Sequence, residues 1–594
     1  MSRHRMHAID AEEKLGKAYD ARLVRRLWGY VRPHRALVLL SLGLLLAVSA
    51  AQLVQPWLIK LAIDGHIAPA RLEGLGRVAL LFLAALGSEF LLRFAQLYVL
   101  ERTGQNVVLD LRHALFSHLQ RLPSSYFDRN PVGRLMTRLT SDVEALNEAF
   151  TSGLVVILAD LVKLVGIVAI LFWMDWRLAL VTLAILPPTL ALTWFFRGRM
   201  RLAHRKVRGM IARLNSFLQE NVTGMRIVQL FSRERGAMRQ FRSINRDHRN
   251  AQLEAVRYDS IFSAVAELLG SVTLAAIVWV GGWGILEGLV SFGTLVAFIE
   301  YSAKFFRPVQ ELSQRYTIMQ AAMASAERIF GLLDVETSIA SPAEPVRVER
   351  RLRGEIEFEN VTFGYKEGEP VLREVSFRIR PGETVGVVGW TGAGKSTLIR
   401  LLVRLYDVWE GRILIDGVDV RDYDLRDLRR AVGVVQQDHF LFAGTVEGNI
   451  SLGDPRVTPE RVREAAAAVH ADLFISRLPW GYGERVRERG SNLSVGQKQL
   501  LSFARAVAFD PAVLVLDEAT SSVDPETERN VQEALQTLLR GRSSIVIAHR
   551  LATVRGADRI LVLHHGRLTE QGTHEELVAV ENGIYRTLHS LQTV

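Results

Sequence analysis

Long apolar runs, nearly free of charge, recur through the first 330 or so positions of this chain and then stop. A hydrocarbon core about 30 Å thick is crossed by roughly 20 residues of helix, and a helix satisfies all its own backbone polar groups where no water can. Six such runs are present: Ala36–Ile63, Val78–Leu100, Leu154–Trp173, Leu178–Phe196, Ile261–Ile285 and Leu289–Phe306. The second carries Glu89 and Arg93, the fifth Glu267 and the sixth Glu300, so those three rest on pattern as much as on composition.

Basic residues divide unevenly among the connections. Arg22, Arg25, Arg26, Arg32 and Arg35 precede the first run, Arg112, Arg121, Arg129, Arg134 and Arg138 follow the second, and fifteen lysines and arginines fall between Arg197 and Arg257. The connections Asp64–Arg77, Asp175–Arg177 and Leu286–Gly288 are short and carry little charge. Cationic loops stay on the cytoplasmic side, so the pattern predicts an even number of spans with both termini inside. The net charge of +10 then belongs to loops holding their side of a bilayer. It does not form one basic soluble face, which argues against a nucleic-acid partner. The absence of cysteine excludes disulfides and thiolate metal sites. Met1–Asp20, polar and mixed in charge, does not read as a signal peptide.

Helical periodicity persists through Val107–Leu122 and Ile211–Phe231, which predicts helices continuing beyond the membrane. Arg22–Tyr30, with Leu23, Leu27 and Trp28 among arginines, reads as an amphipathic interfacial helix. Glu89 and Arg93 stand four apart and are expected to neutralise one another, either as a structural pair or as the wall of a pathway. Glu267 and Glu300 have no evident partner. From Leu332 to Arg353 the pattern dissolves into acidic sequence with Pro342 and Pro345, a linker. The expected division is a tail with interfacial helix at 1–35, an all-α membrane domain at 36–331, a linker at 332–353 and a soluble α/β domain at 354–594.

In the soluble part a strand-like run, Thr384–Val388, leads into Gly389-Trp390-Thr391-Gly392-Ala393-Gly394-Lys395-Ser396 and then the helical run from Thr397 to Leu405. This is the phosphate loop G-x-x-x-x-G-K-[ST] in letters and context. Glycines let successive N–H groups curl around phosphate oxygens, Lys395 brings charge to the β- and γ-phosphates and Ser396 a hydroxyl to Mg²⁺, and the helix start adds its positive end. Further on, Ala512–Leu516 reads as a buried strand delivering Asp517 and Glu518 at its carboxyl edge, where parallel sheets hold ligands. Asp517 would serve the magnesium shell, and Glu518 would polarise the attacking water.

Asn492-Leu493-Ser494-Val495-Gly496-Gln497, followed by the helical run Leu500–Val507, resembles the signature of the ATP-binding cassette family, a Leu-Ser-Gly-Gly-Gln loop capping a helix. The resemblance covers essentially the whole chain. It implies ATP and Mg²⁺ as cofactors, with Tyr365 stacking on adenine, Gln437 meeting magnesium together with Ser396 and Asp517, and His549 sensing the γ-phosphate. Ser522-Val523-Asp524 resembles the loop between the two nucleotide sites, and Glu488-Arg489-Gly490 the loop sensing the partner's transmembrane helices. Six spans before the cassette are the exporter arrangement, the type IV exporter fold. That implies a second half-transporter as partner, a bacterial cytoplasmic membrane with its lipids, and an amphipathic substrate of multidrug, lipid or peptide type in a broad, mostly apolar cavity. Short helices within Ser141–Glu148 and Phe231–Phe241 would couple membrane to cassette, the second reaching the partner. A non-transporting regulator and a homodimeric lipid flippase are the alternatives; a soluble ATPase is excluded by the spans.

Val495 departs from the family's first signature glycine. By the resemblance, Leu493, Ser494, Val495, Gly496 and Gln497 face the partner's ATP, so a β-branched residue there weakens the partner's site while this chain's own site stays complete. The expectation is the catalytically competent subunit of a heterodimer, beside a sister chain with a degenerate site.

Overall fold

The computed structural model describes residues 20–348, 351–517, 525–548 and 551–593. The chain forms two units, one taking in the chain up to His118 with Gly133–Asp334, the other Leu119–Val132 with Val335–Val594.

The first unit is helical. Among the described residues five stretches are long and apolar enough to cross a membrane: Ala21–Ile67, Leu75–Leu119, Val132–Met174, Trp176–Thr223 and Glu234–Leu286. A sixth continuous helix, Phe292–Leu333, is capped by Ser291 and carries Glu300 and Lys304 in its apolar part. At 1.5 Å per residue, the 53-residue helix Glu234–Leu286 runs about 80 Å, far beyond a bilayer. The helices Leu186–Thr223 and Glu234–Leu286 pack along one another, joined through the short helix Met225–Leu230.

Prolines shape two spans. The fourth divides into Trp176–Leu183 and Leu186–Thr223, because Pro187 and Pro188 lack the N–H groups that would continue the ladder and sit instead where a helix start tolerates them. Pro56 lies inside the first span, and its missing N–H leaves the Gln52 carbonyl without its helical donor. The sixth helix supplies one: Lys304 Nζ donates to Gln52 O at 2.9 Å, and one residue along Tyr301 Oη donates to Leu53 O at 2.5 Å.

Two expectations are corrected. Glu89 does not pair with Arg93. It accepts hydrogen bonds from Gln52 Nε2 at 2.7 Å and from Gln55, since helices packed side by side offer amides closer than a flexible partner one turn away. Nor is Ser141–Glu148 the segment that joins the cassette. Asp142 is buried in the first unit, accepting from Arg328 Nε at 3.0 Å and Nη2 at 2.6 Å and from Ser325 Oγ at 3.0 Å. The first-loop segment belonging to the second unit is Leu119–Val132, with the short helix Ser124–Arg129 at its apex. The helix expected at the interface runs from Ala21 to Val31, capped by Asp20. Its Arg26 forks onto Asp334 at 2.6 and 2.7 Å and lies over the Phe330 ring.

The second unit is built on two larger sheets and a two-stranded antiparallel pair. Its strands are β1 Ile356–Phe363, β2 Leu372–Ile379, β3 Thr384–Gly389, β4 Glu410–Ile415, β5 Val418–Asp419, β6 Val432–Val435, β7 Gly444–Thr445, β8 Arg485–Val486, β9 Val513–Asp517, β10 Ser543–Ile547, β11 Arg559–His564 and β12 Arg567–Gly572. The pair is β7-β8, an antiparallel sheet has the order β2-β1-β4-β5, and a six-stranded sheet the order β12-β11-β3-β10-β9-β6. All neighbours in the larger sheet are parallel except β11 and β12. Its central strands are buried on both faces, as parallel strands covered by helices must be. The linker is pinned to this unit: Val346 N donates to Asp422 O at 2.8 Å, and Arg404 Nη1 to Ala340 O at 3.1 Å.

Candidate functional site

Parallel register brings the carboxyl ends of several strands to one edge. Ile547 of β10 stands opposite Val387 of β3 and Asp517 of β9, and Val435 of β6 opposite Leu516. The phosphate loop leaves β3 at this edge, Asp517 ends β9, and Gln437 follows β6 in an exposed loop. Parallel α/β sheets hold their ligands here.

The loop's glycines meet a geometric demand. Gly389 has φ 151° and a Cβ there would lie 2.2 Å from Leu563 O; Gly394, N-cap of the helix Lys395–Leu402, has φ 100°, and a Cβ there would strike Leu372 Cδ2 at 2.6 Å. Only glycine fits both positions. Lys395 is 5% exposed, its Nζ donating to Gly389 O at 2.7 Å and Trp390 O at 3.1 Å, so the ammonium closes the loop from within. Trp390, Thr391 and Gly392 are exposed, while Ala393 and Thr397 are buried. Ser396 Oγ donates to Asp517 Oδ1 at 3.4 Å. A hydroxyl and a carboxylate side by side next to a phosphate cradle suit a hard divalent cation with oxygen ligands. The residues present thus fit Mg²⁺.

Tyr365 reaches the same loop: its hydroxyl lies 3.1 Å from Thr397 Oγ1. Its ring meets those of Phe363 and Tyr406 edge to face, with Arg400 above it. The apex helix of the first loop closes on this cluster. Asp128 accepts from the Tyr406 hydroxyl and lies 3.8 Å from Arg400, while Arg129 Nη2 donates to Tyr365 O at 3.2 Å. Burial, then the hydrogen bond to Asp128, pushes the Tyr406 phenol up. Sequence reasoning missed Asp128, Arg400 and Tyr406. The signal was Pro123 and Pro131, which bracket the apex as helix breakers do.

Ser494 is the N-cap of the helix Val495–Phe509 in a reciprocal capping box, Gln497 N donating to Ser494 Oγ at 3.2 Å and Ser494 N to Gln497 Oε1 at 3.0 Å. Leu493 and Gly496 are buried; Val495 is 50% exposed. Val495 opens the helix without a positive φ, so any effect of replacing glycine here is one of bulk rather than of backbone strain. In the Glu488–Gly490 turn, Arg489 adopts φ 54°. Beyond Gln437, His439 is held neutral: burial lowers its pKa to about 4, and its Nδ1 has no hydrogen-bond partner among the described residues. Glu518, Ser522, Asp524 and His549 lie outside the described residues.

Residues 38–309 match the family model of the ABC transporter transmembrane region, and residues 372–521 that of the ABC transporter. The chain is 39% identical over 588 residues to an uncharacterized ABC transporter ATP-binding protein, YknV, of Bacillus subtilis (strain 168), covering 98% of this chain and 96% of that one. It is 36% identical over 575 residues to an ATP-dependent lipid A-core flippase of Syntrophus aciditrophicus (strain SB), covering 96% and 94%. Among solved structures, a bacterial Atm1-family ABC exporter with ATP bound matches with a TM-score of 0.76 at 29% identity, covering 94% of this chain and 98% of that one. With both halves matched in order, a phosphate loop folded as such, and relatives aligned along nearly their full length, the chain belongs to the ABC transporter family and is an ATP-hydrolysing exporter half-transporter.

Proposed function

We propose that this half-transporter exports a lipid-like amphiphile by alternating access, paired with a sister half whose own nucleotide site is degenerate. The single observation that carries the nucleotide chemistry is the convergence of Lys395, Ser396 and Asp517 at one sheet edge. In this reading 36–331 is the membrane domain, 332–353 the linker and 354–594 the cassette, with both termini cytoplasmic in a bacterial inner membrane. Tyr365 holds adenine and the loop Gly389–Thr397 holds the phosphates. Ser396, Asp517 and Gln437 would hold Mg²⁺, which when bound neutralises phosphate charge. Lys395 stabilises the charge that develops on the transferred phosphoryl, Glu518 orients the attacking water, and His549 holds the γ-phosphate. Ser522 and Asp524 relay between the two nucleotide sites.

Pairing with a sister chain is supported by Val495. A half-exposed β-branched side chain beside Ser494 occupies space that the partner's phosphates need if this surface faces them. A lipid-like cargo is supported by the flippase among the relatives. The test of the pairing is the mass of the singly expressed chain in detergent, with its Mg-ATP hydrolysis before and after Val495→Gly. An inactive or monomeric chain supports the sister subunit. A stable self-dimer whose turnover Val495→Gly does not change rejects it.

A further inference from the structure

We propose that a cavity inside the membrane unit recognises the anionic headgroup of the exported amphiphile, a phosphate or carboxylate, with Arg93 and Lys163 as the recognising residues. The proposal deepens the export reading above and rests on it. It also replaces the expectation of a mostly apolar cavity.

The cavity has a volume of about 670 Å³ and lies among the first, second, third and sixth spans. Its two ends differ. The first and second spans run antiparallel, as the cluster of Leu45 with Leu100 and Val155 and the hydrogen bond from Gln52 to Glu89 together require. At the level of the first pair Leu45, Val48, Leu97, Leu100 and Val156 form an apolar stripe, flanked by Glu101 and Thr151 on one side and by Ser49, Gln96 and Asp160 on the other. At the level of the second it is Gln52, Gln55, Glu89, Arg93, Lys163 and Lys304. An acyl chain fits the first end and a charged group the second.

The sign of that group follows from which charges are already committed. Glu89 takes two amide donors, from Gln52 and Gln55. Glu101, beyond the apolar end, accepts from Gln105 at 2.9 Å and Asn147 at 3.4 Å. Lys304 is anchored by Gln52 O at 2.9 Å and Gln55 Oε1 at 3.0 Å, the carbonyl being the one Pro56 releases. Asp160 and Arg315, which also line the cavity, are each engaged. Arg93 and Lys163 have no hydrogen-bond or ion-pair partner among the described residues. A cation inside a span is expensive and faces a cavity or a counter-ion. Two uncommitted cations at one end of an amphipathic cavity therefore call for an anion, and a forked guanidinium beside an ammonium suits phosphate or carboxylate oxygens.

The test uses the full chain in lipid nanodiscs without nucleotide, with empty nanodiscs as the blank. Radiolabelled decyl phosphate is the probe, and decanoate, decanol, decyltrimethylammonium and inorganic phosphate are the competitors. Saturable binding displaced by decanoate but not by decanol, the cation or inorganic phosphate at equal concentration is expected. Arg93→Gln and Lys163→Gln should each weaken it about tenfold or more, with the ligand-free melting temperature serving as the folding control. Equal displacement by decanol would make the cavity merely apolar, and by decyltrimethylammonium would reverse its sign. Displacement by inorganic phosphate as strong as by the alkyl phosphate would make it a free-anion site. Each of these, absence of saturable binding, or full affinity in both folded variants overturns the proposal. Because the binding assay requires no turnover, ATP-driven export of a cationic or neutral amphiphile would reject this headgroup while leaving the export reading intact.

Discussion

Replacing Asp142 by asparagine removes the charge from a fork that ties the third long helix to the sixth. Asp142 is 8% exposed and accepts from two nitrogens of Arg328 and from Ser325, whereas the Arg328 side chain is 36% exposed. Breaking a fully buried pair costs about 3–5 kcal/mol, and a fully exposed pair is worth only ~0–1 kcal/mol. One buried and one partly exposed partner put the interaction near ~2 kcal/mol between those limits. Asparagine keeps one acceptor but turns an amide N–H towards the second guanidinium donor. Asp142 closes one π-helical turn, Arg138–Asp142, and a second, Ala149–Leu154, follows shortly after; their hydrogen-bond ladder is irregular, so loss of the tie should release the segment locally. Two kcal/mol corresponds to a roughly thirtyfold faster amide exchange, read by hydrogen–deuterium exchange over 138–148. Arg328→Gln should do the same, and the double variant should be little worse than either single one, since both remove one interaction. Unchanged exchange in Asp142→Asn, or fully additive effects in the double variant, would refute this.

Further outcomes are expected elsewhere. Lys395→Ala removes the ammonium that closes the phosphate loop and should lower ATP hydrolysis by at least about a hundredfold; wild-type turnover would contradict its role. Tyr406→Phe deletes a desolvated hydroxyl bonded to Asp128, a charge-assisted contact of about 1.5–3 kcal/mol, so amides of Ser124–Arg129 should exchange about tenfold faster or more. An unchanged rate would mean that the apex helix is held by other contacts. His439 has its pKa depressed to about 4 by burial, so between about pH 6.5 and 4 the unfolded chain binds a proton that the folded chain refuses. Stability is therefore intact above pH 6.5 and is lost as pH falls, by at most roughly 3 kcal/mol from this group. His439→Leu should flatten the fall in melting temperature between pH 7.5 and 5, and an equally steep fall would assign the acid sensitivity to other groups.

What was legible in the sequence was whatever is written in consecutive residues. The phosphate loop between strand and helix, the capped signature helix and the long apolar runs are local patterns, and their geometry follows from backbone rules that neighbours obey together. What escaped depended on chain reversals and on helices far apart in sequence. The pairing of Glu89 with Arg93 assumed the nearest opposite charge on one helix, whereas amides of Gln52 and Gln55 on the adjacent helix came closer. Lys304 drew no attention because its partner is a carbonyl freed by Pro56 in another span. The loop apex was placed too late because Ser141–Glu148 looks helical and charged, while Pro123 and Pro131 around Ser124–Arg129 were the better guide. Val495 is a departure visible in the letters alone, and since its φ is not positive the expected weakening of the partner's site rests on side-chain bulk at the loop.

The most direct test of the central claim, that this chain drives export by hydrolysing ATP at its own phosphate loop, is Glu518→Gln in sealed inside-out vesicles, with the sister half present if the chain requires it. Retained Mg-ATP binding with hydrolysis and ATP-dependent lipid-amphiphile uptake both reduced to background is the expected result. Hydrolysis and uptake at wild-type rates in that variant would contradict the account.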